Sequence, residues 1–253
     1  MFAVYNFAAI ADLNEAIDKP IESVKINILG NVNILEACKN NNVKKFIYAS
    51  SVYVNSREGG FYKCSKNASE DYVVEYGLKY GLDYTILRYG SLYGPRSDDH
   101  NGLFRIVKKA LDSNKIIYSG SKETIRQYIH VQDAAKASVE ALANEYNNEI
   151  LILSGQESMK VYDVLKMLAE ILGDNYTVEF NDDHQIGHYI RSPYALKNNI
   201  GKKFIPQILS RIKDSSWTSS SSPLHDIKGL AFNHSKGVAE DHNKRDKLSV
   251  RCI

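Results

Sequence analysis

Short apolar runs rich in β-branched and aromatic residues alternate along this chain with longer stretches patterned for helices. The runs are Ala3–Ala8, Lys45–Ala49, Asp83–Arg88, Lys115–Tyr118, Tyr128–Val131, Glu149–Leu153 and Tyr176–Phe180. Between two of them, Pro20–Asn40 opens with proline at a first-turn position. It repeats Ile21, Val24, Ile28, Val32 and Leu35 at helical spacing. Tyr62–Tyr76, Leu103–Leu111, Asp133–Ala143 and Tyr162–Leu172 follow the same pattern. Nearly continuous apolar strands are buried on both faces, and strands separated by helices pair in parallel. The pattern predicts an α/β protein: an open, doubly wound parallel sheet with helices on both faces.

Several classes drop out. The formal net charge is +2, with its Lys and Arg pairs dispersed, which offers no patch for nucleic acid or an anionic membrane. No run is long enough to span a bilayer. The apolar opening "MFAVYNFAAIA" lacks a basic start, and Asp12 and Glu15 follow at once, so it reads as a buried strand. Cys38, Cys64 and Cys252 have no metal-ligand spacing and leave one over if two pair, so a reducing, cytoplasmic compartment is expected. His184 and His188 stand four apart beside Asp182 and Asp183, but in a segment without a helical stripe; a surface loop, not a metal site, is expected. From about Pro206 the periodicity dissolves, and "SSWTSSSSP" is low-complexity. The expected division is one domain over 1–205, with a small substrate lobe from 90–125 and 155–205, then a poorly ordered tail over 206–253.

In doubly wound nucleotide-binding domains the first strand leads into a glycine-rich turn that cradles a pyrophosphate. No G-x-G-x-x-G occurs in this chain. Ala3–Ala8 leads instead into "AIAD" and then the proline-started helix, so it reads as a middle strand, with the glycine-rich half missing.

The chemistry centres on Tyr62 and Lys66. Residues four apart share a helix face. A phenol with a pKa of about 10 is no base at neutral pH, but an adjacent ammonium favours the phenolate. Such a tyrosine takes a proton from an alcohol while hydride leaves the carbon. A packed tyrosine beside a solvated lysine is the rival reading of the bare pair. Context weighs against it: "KKFIYASS" reads as a strand ending at Ser50 and Ser51, and ligands in such sheets bind beyond the carboxyl ends of strands. The Ser51 hydroxyl can share the proton, whereas Ser50 reads as a strand terminator. Four further residues get structural readings: His130 as a satisfied core histidine, Asp133 as a helix cap, and Glu70 and Asp71 as solvated.

Six stretches in order, "NFAAIAD", "VKINILGNVNILEAC", "FIYASSVYV", "YKCSK", "LRYGSLYGPR" and "RQYIHVQDAAKA", resemble the extended short-chain dehydrogenases/reductases of the nucleotide-sugar epimerase/dehydratase family, UDP-glucose 4-epimerase-like. The likeness runs from Ala3 to about Lys203. It implies a Rossmann-like fold, bound NAD and a nucleotide-sugar substrate. By the same resemblance Ser51, Tyr62 and Lys66 are catalytic. Ala8, Ala9 and Asn27 adjoin the cofactor, together with Tyr62 and Lys66. Ser91 contacts the substrate, and Arg126 binds its diphosphate, a task suited to a guanidinium fork; a surface salt bridge is the rival reading for Arg126. The chain departs from the family pattern at the absent glycine loop, at Asn55, where a tyrosine is usual, and at Ser91, where an asparagine is usual. Dehydratases carry an Asp-Glu pair after the catalytic Ser or Thr; here Val52 and Tyr53 follow Ser51, which favours epimerase or reductase chemistry. A truncated, non-catalytic scaffold is the reading from another class. Relatives imply a homodimer through helices 20–40 and 62–76, with Tyr72, Tyr76 and Tyr80 as exposed aromatics. A sheet lacking its first half has an uncovered edge, so poor solubility is expected.

Overall fold

The computed structural model describes residues 2–181, apart from Arg57 and Asp174. The Asp182–His188 cluster, the tail 206–253, Cys252 and the later part of the expected substrate lobe lie outside the described residues. The chain order begins with β1 (Ala3–Asn6), α1 (Leu13–Asp18) and α2 (Pro20–Ser23). A π-helical segment (Val24–Leu29) then leads into α3 (Gly30–Asn40). Next come β2 (Lys45–Ser51), a 3-10 turn (Val52–Asn55), α4 (Gly60–Tyr80), β3 (Asp83–Tyr89), β4 (Ser91–Tyr93) and α5 (Gly102–Ser113). The rest comprises β5 (Lys115–Ser119), β6 (Ile125–Arg126), β7 (Tyr128–His130), α6 (Val131–Glu140), β8 (Glu149–Leu153), β9 (Met159–Lys160), α7 (Val161–Leu172) and β10 (Thr177–Asn181).

The main sheet is parallel throughout, in the order β1-β2-β3-β8. Successive side chains on a strand face opposite ways, and both faces are buried. Phe46 and Tyr48 of β2, with Tyr84 and Ile86 of β3, pack against Leu35 and Cys38 of α3 and Val73 and Tyr76 of α4. Their neighbours Ile47 and Leu87, with Leu151 and Leu153 of β8, pack on the opposite side against Ala134, Ala137 and Ala141 at and just beyond α6. This is the doubly wound arrangement the strand pattern predicts. Gly77 permits the tight contact of α4 with β3, since a Cβ there would lie 2.7 Å from the Tyr84 ring.

Several expected boundaries move, each for a local reason. β1 ends at Asn6 rather than Ala8, because the Asn6 Oδ1 accepts from the Ala8 N–H at 3.1 Å and turns the chain. Three expected strands leave the main sheet. Lys115–Ser119 pairs with β10, and Tyr128–His130 pairs with β4; a second cluster of α5 and α7 residues, including Val107, Leu165 and Leu168, packs on Ile116 of β5. The helix beginning at Val131 is capped by His130, whose ring nitrogen accepts from the Gln132 N–H, so Asp133 is not the cap. Tyr76 is not an exposed aromatic: it is buried, and its hydroxyl donates to Glu36.

Burial sets the sensitivity of each position. Leu87 is fully buried in β3, and Leu78 on α4 is 76% exposed. Leu87→Ala is expected to lower the free energy of unfolding by about 2–5 kcal/mol, and Leu78→Ala to stay within about 0.5 kcal/mol of the parent. Urea unfolding followed by circular dichroism measures both.

Candidate active site

The site forms where α4 crosses the carboxyl end of β2. Gly59 and Gly60 precede Tyr62 with φ of 103° and 49°. Glycine takes this left-handed backbone without the strain a side chain would bring. A Cβ on Gly59 would also lie 2.9 Å from that of Lys63. The turn thus delivers α4 with Tyr62, Lys66 and Glu70 on one stripe, each a helical turn apart.

That stripe holds three consecutive residues of β2. The Lys66 Nζ donates to the Ala49 carbonyl at 2.8 Å. The Ser50 hydroxyl donates to Glu70 Oε1. The Ser51 side chain lies close enough to the Tyr62 phenol to lower its pKa. The Lys66 ammonium lies 4.9 Å from the Tyr48 ring centre and 5.9 Å from that of Tyr62. Ser51, Tyr62 and Lys66 are therefore brought together, and all three are buried.

Burial sets their protonation. Desolvation disfavours charge. It lifts the Tyr62 phenol to about 12, with the Ser51 side chain opposing. It lowers the Lys66 ammonium to about 8, with Glu70 opposing. The sequence reading had the lysine lowering the tyrosine's pKa. In the protein alone burial dominates for both groups.

Asn27, in the π segment, binds the loop after β1 from both sides. Its Oδ1 accepts from the Ile10 N–H at 2.7 Å, and its Nδ2 donates to the Ile10 carbonyl at 3.0 Å. The same Nδ2 donates to Ser65 Oγ at 2.8 Å, and Ser65 donates to the Tyr62 carbonyl. Asn27 thus ties the loop carrying Ala8 and Ala9 to the helix carrying Tyr62. Ala8 is exposed and Ala9 partly so, just past the carboxyl end of β1 beside that of β2. Ser91 and Arg126 are carried separately, on β4 and β6. Arg126 is buried and donates to the Ile125 carbonyl at 3.0 Å, so the surface salt-bridge reading does not fit it.

Three structural readings are corrected. Glu70 is not solvated: it is buried in an ion pair with Arg88. Ser50 does more than end a strand, since its hydroxyl serves that carboxylate. His130 is only half satisfied: its Nε2 is buried without a hydrogen-bond partner among the described residues, and burial lowers the imidazole to about 4. Asp133 is buried as well, and desolvation raises it to about 6. The signal for Glu70 was present: it continues the Tyr62–Lys66 stripe, and Arg88 interrupts an apolar strand. A charge in a buried strand calls for a partner. Among the described residues no cluster of three His, Cys, Asp or Glu side chains can hold a metal. None of their helices is long and apolar enough to cross a membrane.

A parallel α/β sheet with Ser, Tyr and Lys gathered past a strand end defines the class of the extended short-chain dehydrogenases/reductases. Residues 2–154 match the NAD dependent epimerase/dehydratase family, and the chain belongs to it. A UDP-glucuronate 4-epimerase of Thermodesulfobacterium geofontis is 25% identical, over 72% of this chain and 61% of that protein. Among solved structures, UDP-glucose 4-epimerase of Thermotoga maritima with UDP-glucose superposes with a TM-score of 0.69 at 26% identity. That match covers 75% of this chain and 67% of the other. UDP-glucuronic acid 4-epimerase of Bacillus cereus, with UDP-glucuronic acid and NAD, gives 0.69 at 25% identity, covering 76% and 66%. The chain spans 58% to 61% of the length of the curated relatives it matches first.

The lowered Lys66 pKa makes stability pH-dependent. Between about pH 8 and the unfolded value of about 10.4, the unfolded chain keeps a proton that the folded chain has released. Stability therefore rises with pH in this window. Above about pH 10 the raised Tyr62 acts with the opposite sign, because the folded state then holds the extra proton. Between pH 7.5 and 9.5 the wild type is expected to gain on the order of 1–2 kcal/mol relative to Lys66→Met, as read by urea unfolding at each pH.

Proposed function

We propose that this chain carries the acid–base half of an NAD-dependent epimerase that inverts a nucleotide sugar at C4. The convergence of Ser51, Tyr62 and Lys66 at the carboxyl end of β2 supports the reading. Family membership supports the cofactor and the substrate class. Lys66 fits the nicotinamide ribose: its ammonium is buried, and the Ala49 carbonyl takes one of three donors. Ala8 and Ala9 would border the nicotinamide end through their backbone, with Asn27 holding their loop. Bound NAD supplies a hydride acceptor and, when oxidised, a positive charge in the pocket.

The chain's own residues move the proton. The Tyr62 oxygen takes it from the C4 hydroxyl, with Ser51 hydrogen-bonded to the same oxygen. The Lys66 ammonium stabilises the phenolate. After the keto sugar turns over, Tyr62 returns the proton to the C4 oxygen. Arg126 would hold the substrate diphosphate and Ser91 would face the sugar. Dehydration is disfavoured, because an elimination step requires a carboxylic acid beside Ser51. Val52 and Tyr53 follow it, and Glu70 is locked to Arg88 and Ser50. A simple reductase would use the same three residues. The absence of a G-x-G-x-x-G sequence favours a second reading, a non-catalytic epimerase-like scaffold.

Two assays decide between them. Saturable NAD binding in a fluorescence titration of this chain is expected for the enzyme, and its absence for the scaffold. In a form joined to a glycine-rich strand–turn–helix half, Tyr62→Phe is expected to lose about 10²–10⁴-fold in UDP-sugar epimerisation. Full activity of that variant contradicts the mechanism.

Assembly belongs to the same proposal. Residues 20–40 and α4 carry Ile21, Val24, Leu29, Phe61, Tyr72, Leu78 and Tyr80 as exposed apolar side chains. A second copy, placing the same two helices against them, would bury this surface. Sedimentation is expected to show a dimer that Leu29→Glu shifts toward monomer; a wild type that stays monomeric at high concentration removes the proposal.

A further inference from the structure

We propose that Glu70 is a positioning residue of the acid–base site, holding Lys66 as a cation and fixing Ser51 through Ser50, with Arg88 as its counter-ion. The inference rests on the reading that Lys66 acts as an ammonium beside Tyr62.

Two charges inside a domain cost several kcal/mol each in lost hydration. Glu70 and Arg88 are kept there in full. Their side chains are 5% and 12% exposed, and they meet as a fork: Arg88 Nε donates to Glu70 Oε1 at 3.0 Å, and Nη2 pairs with Oε2 at 2.5 Å. The fork is the strong geometry for this pair. The remaining contacts all lead to the site. The Ser50 hydroxyl donates to Glu70, and Ser50 stands opposite Arg88 in the β2–β3 register. Arg88 Nη1 donates to Asn55 Oδ1 at 3.1 Å, at the far end of the 3-10 turn that starts from Ser51. The turn is thus held at both ends, at its start by Ser51 Oγ accepting from the Tyr53 N–H.

One turn away on the same helix face, Lys66 lies between Tyr48, Tyr62 and Glu70. Among the described residues those three are the ionisable groups around it, on α4 and β2, with Arg88 of β3 paired to Glu70. Glu70 alone among them favours the ammonium, against burial. Arg88 orients the carboxylate through its fork, and it is Glu70, one helical turn on, that acts on Lys66. An ion pair serving only the core would hold the fold together and leave the lysine's titration untouched.

The test reads Lys66 directly. The chain is prepared with ¹³C-labelled lysine, and the Lys66 Cε shift is titrated by NMR in the wild type, Glu70→Gln, Arg88→Met and the Glu70→Gln/Arg88→Met double variant. Lys66→Arg supplies the assignment. Relative to wild type, the midpoint is expected to fall by roughly one pH unit in Glu70→Gln, where Arg88 is left as an unbalanced cation. It is expected to fall by less in the double variant and to rise in Arg88→Met, where Lys66 becomes the partner of Glu70. The double variant leaves no uncompensated buried charge, so it carries the test if Glu70→Gln does not fold. A Lys66 midpoint that is the same in wild type and folded variants overturns the proposal. The catalytic reading fails separately, through full epimerisation by Tyr62→Phe, whatever the titration shows.

Discussion

The structure turns on one contact: a single stripe of α4 grips the last three residues of β2. Tyr62, Lys66 and Glu70 recur at helical spacing, and Ser51, Ala49 and Ser50 answer them. A helix repeats every 3.6 residues, whereas a strand alternates every two. The stripe therefore cannot meet the strand through side chains alone. It meets two side chains and, between them, a backbone carbonyl. That mixture lets one helix face hold a strand end whose own side chains point to both sides of the sheet. It also brings a phenol, an ammonium and a hydroxyl together in a buried site.

Much of this was legible in the residues. The four main-sheet strands and their flanking helices follow from apolar runs whose alternate members pack on opposite faces, as Phe46 and Ile47 do. The Ser51, Tyr62 and Lys66 grouping is legible because a strand end and a helix stripe are both local patterns. What escaped was non-local. Whether Lys115–Ser119 joins the large sheet or pairs with Thr177–Asn181 depends on a chain reversal that no window of residues records. Glu70 passed for solvated because its partner is eighteen positions away and on another element. Asp133 passed for a cap because a side chain that suits a helix start was one turn late, the place being taken by His130.

The protonation states show how far burial outweighs proximity. Lys66 stands close to the Tyr62 ring, yet desolvation drives both groups toward neutrality in the protein alone. In the acid–base role proposed for it, such a pair is poised rather than active. A positive charge entering the pocket lowers the phenol, and the fixed Glu70 carboxylate keeps the lysine charged meanwhile.

The π-helical segment has a geometric consequence of its own. A π turn fits one more residue into its loop than an α turn does, so everything after it is rotated by about 100° around the helix axis. Asn27, inside the π turn, and Asn31, four residues on, both point inward, one toward Ile10 and Ser65, the other toward Asn6. One face of this rod thus serves two clients, the loop carrying Ala8 and Ala9 and the first strand of the sheet. Deleting a single residue from this turn would swing α3 about 100° around the axis relative to α2.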